Sequence, residues 1–267
     1  MSKLLVYGGL FGLTTLTAYK ALTSKVNDET AEVHEPPSTS IILCTLNEEG
    51  FIENALKSLE NQNILRDYPE SFERVVVDSN SDDDTVAIAE DYGWTVLQAP
   101  RGKLNARHLG VEKAKGQVIV GVDADSLYGI NWLNLLLRHF KNSRVVGVIG
   151  PRIGNPEEGI IQAGISVWLS LIDLGPIAGF RMPGQNCAFR KEAYYKVGGF
   201  NLDIDQTNMH EMVREEEIRF PWKLRQIGIV VVDVEATVFT SMRRTLLIRR
   251  SQHHRQWTQE RARGERF

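Results

Sequence analysis

"VIVGVDADSL", residues 118–127, begins as a buried strand and then turns abruptly acidic. Residues 118–122 are what a strand covered on both faces selects, with one glycine among them. Asp123 and Asp125 follow, with only Ala124 between them. Side chains two apart on a strand point to one face, so the two carboxylates are expected to converge while Ala124 packs on the other side. Close carboxylates raise each other's pKa unless a cation compensates. A hard divalent cation prefers oxygen ligands, and Mg²⁺ commonly joins one or two carboxylates to substrate phosphates. The same tripeptide is also common at solvated strand ends, so its neighbours must decide its meaning.

Working outward, residues 40–47, 72–81, 94–100 and 117–125 read as strands. Residues 48–62 carry apolar positions at 51, 52, 55, 56 and 59, a helical spacing. Residues 82–93 read as a helix with an acidic start, and 103–116 as a helix stopped by Gly116. Strands alternating with helices predict βαβ units and a mostly parallel α/β sheet flanked by helices. Ligands bind such sheets beyond the carboxyl ends of the strands. Three polar clusters stand there: residues 45–49, residues 78–81, and Asp123-Ala124-Asp125. No G-x-G-x-x-G follows the first strand and no G-x-x-x-x-G-K-[ST] is present, which argues against a dinucleotide site and a P-loop.

The 267 residues are 42% hydrophobic and 24% charged, enough for one large domain. The net charge of −3 is uneven, because residues 243–267 hold eight arginines against two glutamates. Such a tail suits phosphates, an anionic membrane surface or nucleic acid, or is a solvated helix end. Cys44 and Cys187 belong to no metal or redox spacing, so a reducing compartment and buried thiols are expected. Residues 4–19 are uncharged, with Lys3 before them and Lys20 after. That predicts a hydrophobic helix in 1–23 that anchors the chain to a membrane, with the catalytic domain in the cytoplasm. Residues 24–38 form a linker, 39–242 the domain and 243–267 a basic tail.

The runs "SIILCTLNEEGFIENALKSLENQ" (40–62), "RVVVDSNSDDDT" (74–85) and "PRGKLNARHLGVEKAKGQVIVGVDAD" (100–125) together resemble family-two, GT-A-type glycosyltransferases. The resemblance implies a GT-A Rossmann-like domain that binds a nucleotide-diphosphate sugar. It places Thr45 and Glu48 or Glu49 at the nucleoside and Asp78 at the base. Asp123, Ala124 and Asp125 become the metal-binding DxD, with Mn²⁺ or Mg²⁺ as cofactor. Arg107 takes the place of the family's A-R-N-x-G arginine, and Lys103 lies near the diphosphate. Ser79, His108 and Leu46 depart from the family pattern.

"MPGQNCAFRKEAYYKVGGFN" (182–201) resembles the acceptor-side segment, which assigns Gly184, Gln185 and Asn186 to the acceptor. "EEEIRFPWKLRQIGIVVV" (215–232) resembles the family's Glu-Asp segment. Glu217 is then the general base of an inverting transfer, with Glu216 in reserve. Three glutamates in a row also suit the acidic N-terminus of a helix. For a third metal ligand only Thr240, Ser241, His253 or His254 offer themselves. The acceptor is a glycan, a protein or a lipid-linked molecule. Residues 159–180 are apolar, interrupted by Asp173 and Pro176, and read as a buried helix, a cleft wall or a membrane-interface segment. Competing readings are a nucleotide-sugar binding module without catalysis and a sugar nucleotidyltransferase, whose Gly-rich N-terminal loop is missing. Nucleic-acid binding rests on the tail alone and is not expected.

Overall fold

A computed structural model of the chain describes residues 20, 23–158, 160–174, 181–202, 209–241 and 243. The first half alternates strand and helix as expected: β1 (Thr39–Thr45), α1 (Ile52–Glu60), α2 (Asn63–Asp67), β2 (Phe72–Asp78), α3 (Thr85–Asp91), β3 (Thr95–Gln98), α4 (Lys103–Lys113) and β4 (Val118–Asp123). The second half holds β5 (Ser126–Tyr128), α5 (Trp132–Leu137), β6 (Val145–Ile149), β7 (Arg152–Gly154), α6 (Ile160–Asp173), β8 (Cys187–Arg190), α7 (Lys191–Lys196), α8 (Met209–Arg225), β9 (Ile229–Val232) and β10 (Val238–Thr240).

Seven strands form one sheet in the order β3-β2-β1-β4-β8-β6-β9. The first four run parallel, β8 is antiparallel to both of its neighbours, and β9 is parallel to β6. A smaller sheet, β5-β10-β7, lies apart from it. Strand register sets the height of each polar cluster. Thr45 lies opposite Asp78, and Cys44 lies opposite Asp123. The three clusters therefore stand at one level along the sheet edge.

Both faces of the sheet are covered, as a parallel sheet requires. Leu43, Val76 and Val120 face one core with Trp132 and Leu136, while Ile42, Val77 and Ile119 face the other with Phe189 and Leu224. The alternation along each strand is the pleat at work. α1 forms because its apolar residues Ile52, Ala55, Leu56 and Leu59 fall on one stripe, and all four are buried. α4 comes close to the sheet at Gly110, where a Cβ would stand 2.5 Å from the Ile42 side chain.

Several boundaries differ from the sequence reading. α3 starts at Thr85 rather than residue 82, because the Asp83 carboxylate takes the Thr85 hydroxyl at 2.5 Å and the Glu49 amide at 3.1 Å. The acidic run is a loop clasp before it is a helix start. β4 ends at Asp123, and Ala124-Asp125 make the turn into β5. The expected shared strand face of Asp123 and Asp125 is thereby replaced by a turn. The apolar segment 4–19 and most of the tail lie outside the described residues. Among the described residues, no helix is long and apolar enough to cross a membrane.

Gly116 is pressed against β1: a Cβ there would meet the Ser40 amide nitrogen at 2.4 Å. Backbone cannot yield as a side chain does. Gly116→Ala is expected to cost about 1–3 kcal/mol, read as a lower urea midpoint at unchanged slope. An unchanged midpoint would contradict this packing.

Candidate active site

The loops after β1 and β2 are laced together before they hold anything else. Asn47 and Asn80 both adopt positive φ, 54° and 63°, which asparagine tolerates better than most residues. The Asn47 amide donates to Ser81 Oγ at 2.9 Å, and the Asp82 amide donates back to Asn47 Oδ1 at 2.9 Å. The Glu48 amide donates to Thr85 Oγ1 at 2.8 Å.

Asp78 sits inside this lacework. Its carboxylate accepts from Thr45 Oγ1 at 3.1 Å, from the Ser81 amide at 2.9 Å and from Ser81 Oγ at 2.5 Å. A carboxylate has about four acceptor positions, so most are already spent on the loop. Thr45 and Asp78 thus brace the joined loops from within. Glu49 belongs to the same brace, accepting from the Asp84 amide at 3.3 Å.

At the end of β4, Asp123 accepts from Lys103 Nζ at 2.6 Å, and Arg107 Nη2 approaches its other oxygen at 3.9 Å. Lys103 and Arg107 are i, i+4 neighbours on α4, so one helix face delivers both cations. Arg107 is buried. Burial pulls its pKa down, but Asp123 and Glu217 outweigh that and raise it. Its Nη2 has no hydrogen-bond partner among the described residues. The guanidinium lies flat against Gly184, where a Cβ would fall 1.6 Å from Nη2.

Asp125 faces elsewhere. Arg243 Nη2 lies 3.3 Å from Asp125 Oδ2 and also bonds Glu48 Oε2, while its guanidinium covers the Phe51 ring at 4.1 Å. The Ser241 amide donates to the Asp125 carbonyl at 2.8 Å. Two carboxylates, Glu48 and Asp125, therefore converge on one positive charge. Arg243 was read only as part of a basic tail. No local pattern marks it, because its partners lie more than a hundred residues upstream.

Glu216 and Glu217 lie inside α8 and are buried, not at an acidic helix start as one reading allowed. With Arg107, Cys44 and Cys187 they line a cavity of about 40 Å³, room for a water or two. Arg181 Nη2 donates to Glu217 Oε2 at 2.6 Å, and the Met182 amide donates to the Glu217 carbonyl at 2.7 Å. Arg181 also reaches Asp173 at 3.3 Å, which Arg152 reaches at 3.2 Å. Glu216 has no such partner: both its oxygens are buried without a hydrogen bond among the described residues. Burial pushes its pKa up, against the pull of Lys223. Burial also pushes the Cys44 thiol to about 11 and the Cys187 thiol to about 12. Both are free cysteines, as expected.

The acceptor-side triplet divides. Gly184 faces Arg107. The Gln185 carbonyl accepts from the Tyr128 hydroxyl at 3.4 Å. Asn186 is fully buried, donates to the carbonyls of Pro151 at 2.6 Å and Ala236 at 2.7 Å, and accepts from Trp132 Nε1 at 2.9 Å. Its amide ties together the segments that join the two sheets. Tyr128, which the sequence reading passed over, also receives the Asp123 amide at 2.9 Å and packs on Trp132 at 4.5 Å. His108 bonds the Tyr194 hydroxyl at 2.8 Å and so packs inward. Ala124 is buried. Of the four residues offered as a third metal ligand, Thr240 takes the Ser126 hydroxyl at 3.2 Å and Ser241 turns toward Arg243, while His253 and His254 lie outside the described residues.

The unpartnered carboxyl of Glu216 gives a pH test. Its pKa is raised in the folded state above the ordinary 4.5, so the fold binds its proton more tightly than the unfolded chain. Its contribution is then favourable at acid pH and declines as pH rises through the folded value. Glu216→Gln should gain stability relative to the parent between pH 4 and pH 7 in thermal melts. A difference that is flat across that range would show that the carboxyl is not desolvated.

The chain matches the family model described as Glycosyl transferase family 2 over residues 40–198. Poly-beta-1,6-N-acetyl-D-glucosamine synthases are similar to it. That of Staphylococcus epidermidis is 24% identical over 214 residues, covering 73% of this chain and 47% of the synthase. That of Staphylococcus aureus is 25% identical over 210 residues, covering 73% and 48%. The chain thus spans about half the length of these relatives. In structure it resembles the mannosyltransferase PcManGT from Pyrobaculum calidifontis in complex with GDP-Man and Mn²⁺, with a TM-score of 0.61 and 20% identity, over 98% of this chain and 74% of that one. It also resembles S. aureus TarS 1–349 in complex with UDP, with a TM-score of 0.58 and 19% identity, over 76% and 60%. These structural likenesses establish a shared GT-A fold. The family match covers more than half of the chain, and the protein belongs to glycosyl transferase family 2.

Proposed function

We propose that the protein transfers a sugar from a nucleotide-diphosphate sugar to an acceptor hydroxyl, with inversion and with a divalent cation. The observation that carries this is Arg107 Nη2, a buried donor 3.9 Å from Asp123 and without a hydrogen bond among the described residues, beside the cavity of Glu216 and Glu217. A buried, unmatched donor costs about 1–3 kcal/mol, so such a group commonly awaits a ligand. A diphosphate oxygen would satisfy it. The neighbouring Lys103 adds a second positive charge at the same place.

The donor chemistry of Glu48 and Asp125 fits a Mn²⁺ or Mg²⁺ ion, because both carboxylates already face one cationic group. Asp125 would be the direct ligand and Asp123 the support behind it. Among the described residues no group of three protein ligands is assembled, which suits an ion that takes its other ligands from phosphates and water. Bound there, the ion would neutralise charge on the leaving diphosphate. Arg107 and Lys103 hold that diphosphate from the α4 side. Glu217 accepts the acceptor proton, with Glu216 as the alternative, and Arg181 orients its carboxylate. One base and no covalent sugar intermediate are needed for such a single displacement. The apolar segment 4–19 is assigned to membrane attachment, and the acceptor to a glycan, a protein or a lipid-linked hydroxyl.

Two measurements test this reading. Nucleotide-sugars with Mn²⁺ should raise the melting temperature, since a ligand at about 100 times its Kd adds about 2.7 kcal/mol. Asp125→Ala should lower turnover about 100-fold or more and abolish the Mn²⁺-dependent part of that shift. Full activity of Asp125→Ala in chelator would overturn the metal assignment. Because Arg243 and the ion share the same carboxylates, Arg243→Ala should tighten Mn²⁺ binding in electron paramagnetic resonance titrations without any sugar present. Unchanged or weaker binding would place the ion elsewhere.

A further inference from the structure

α6 has two unlike faces. One is seated on β7: Gly154 donates its amide to Ser166 Oγ at 2.6 Å, and Arg152 donates its amide to Ser170 Oγ at 3.0 Å. Val167 packs with Ile153 between them. The opposite face carries Ile165, Trp168, Leu169 and Ile172, spaced i, i+3, i+4 and i+7, and 37, 37, 50 and 52% exposed. This is an apolar helical stripe on the side where a solvated helix is normally polar. Four of the nine large exposed apolar side chains among the described residues lie on this one helix. Residues 160–172 contain no charge. Glu157 and Glu158 precede the helix, and Asp173 at its end is held by Arg152 and Arg181.

The size of the stripe says what can cover it. A helix of 14 residues is about 21 Å long. With a width of about 10 Å, its outer face offers roughly 200 Å². A stable protein partner usually takes about 800 Å² per side. A bilayer needs no matched partner and accepts a narrow apolar strip. At about 21 Å the helix is also too short to cross a hydrocarbon core of about 30 Å, so it would lie along the surface. The rest of the chain agrees in charge and polarity. Residues 243–267 carry an excess of six positive charges, and the uncharged run 4–19 is flanked by lysines.

The geometry points to α6 as an interfacial helix that seats the folded domain on an anionic lipid surface, a contact separate from any made by residues 4–19. The seat adjoins the proposed chemistry, because Asp173 at the end of α6 is joined through Arg181 to Glu217. That consequence, an acceptor hydroxyl presented from the membrane side, rests on the transferase reading. The seat itself does not.

The full chain carrying Leu169→Cys is labelled there with an environment-sensitive fluorophore. Cys44 and Cys187 resist labelling, since burial raises both thiols. Tyr195→Cys, on exposed α7, is the comparison site. On vesicles of phosphatidylcholine and phosphatidylglycerol, the label at 169 should shift to the blue and be quenched by brominated lipid, and the label at 195 should do neither. A chain that floats with vesicles while the label at 169 stays unshifted overturns the proposal. So does a label already shifted without vesicles, which would mean that a second copy or the 4–19 segment covers the stripe. As an independent measurement, Leu169→Glu with Ile172→Glu should lower vesicle partition about tenfold or more at unchanged melting temperature. Unchanged partition overturns the proposal as well. Neither measurement depends on sugar transfer, so failure here leaves the transferase reading standing, and loss of activity leaves this one standing.

Discussion

The burial of Asp123 governs the construction around it. β4 pairs with β8 as far as Gly121 and with β1 as far as Asp123, so its last residue is held at the sheet beside Cys44. A buried carboxylate left alone is strongly unfavourable, and removing one partner from a buried pair costs about 3–5 kcal/mol. The cations must therefore come to it. α4 brings Lys103 and Arg107 on one face, and it can come near enough because Gly110 lets it rest on Ile42. The Arg107 guanidinium fits only because residue 184 is glycine. A single buried charge thus constrains a helix, two glycines and the segment that leads into β8.

The half of the fold built on local periodicity was legible in the sequence. Residues 39–123 alternate strand and helix, and their polar clusters meet because β1, β2 and β4 are parallel and in register. The second half was less legible, since β8 inserts antiparallel between β4 and β6 and no sequence period marks a partner's direction. The DxD shows the same limit at small scale. The spacing rule for strands holds only inside a strand, and β4 stops at its first aspartate. Asp123 and Asp125 avoid repulsion by turning to separate cations, Lys103 with Arg107 and Arg243. The first two were singled out in the sequence through the family resemblance of the run 100–125. Arg243 was not, because only the folded chain brings it to Glu48. Asn186 shows a role that no local pattern announces: its side-chain amide binds two buried carbonyls.

Glu216 and Glu217 show how one helix makes two different carboxylates. Adjacent helical residues point about 100° apart, so each meets its own surroundings. Glu217 meets Arg181, whose hydrogen bond to Oε2 fixes the carboxylate in one orientation. Glu216 is buried, and burial raises its pKa against the pull of Lys223 and the Asn201 amide. Environments that separate two titratable groups also separate their roles. The Arg181 bond supplies Glu217 with a fixed cationic partner that Glu216 lacks. Arg107 completes the arrangement, because it borders Asp123 on one side and the glutamate cavity on the other. Its positive charge is coupled to Asp123 and to Glu217 at once, so losing Arg107 would disturb both halves of the site even where each half keeps its own contacts.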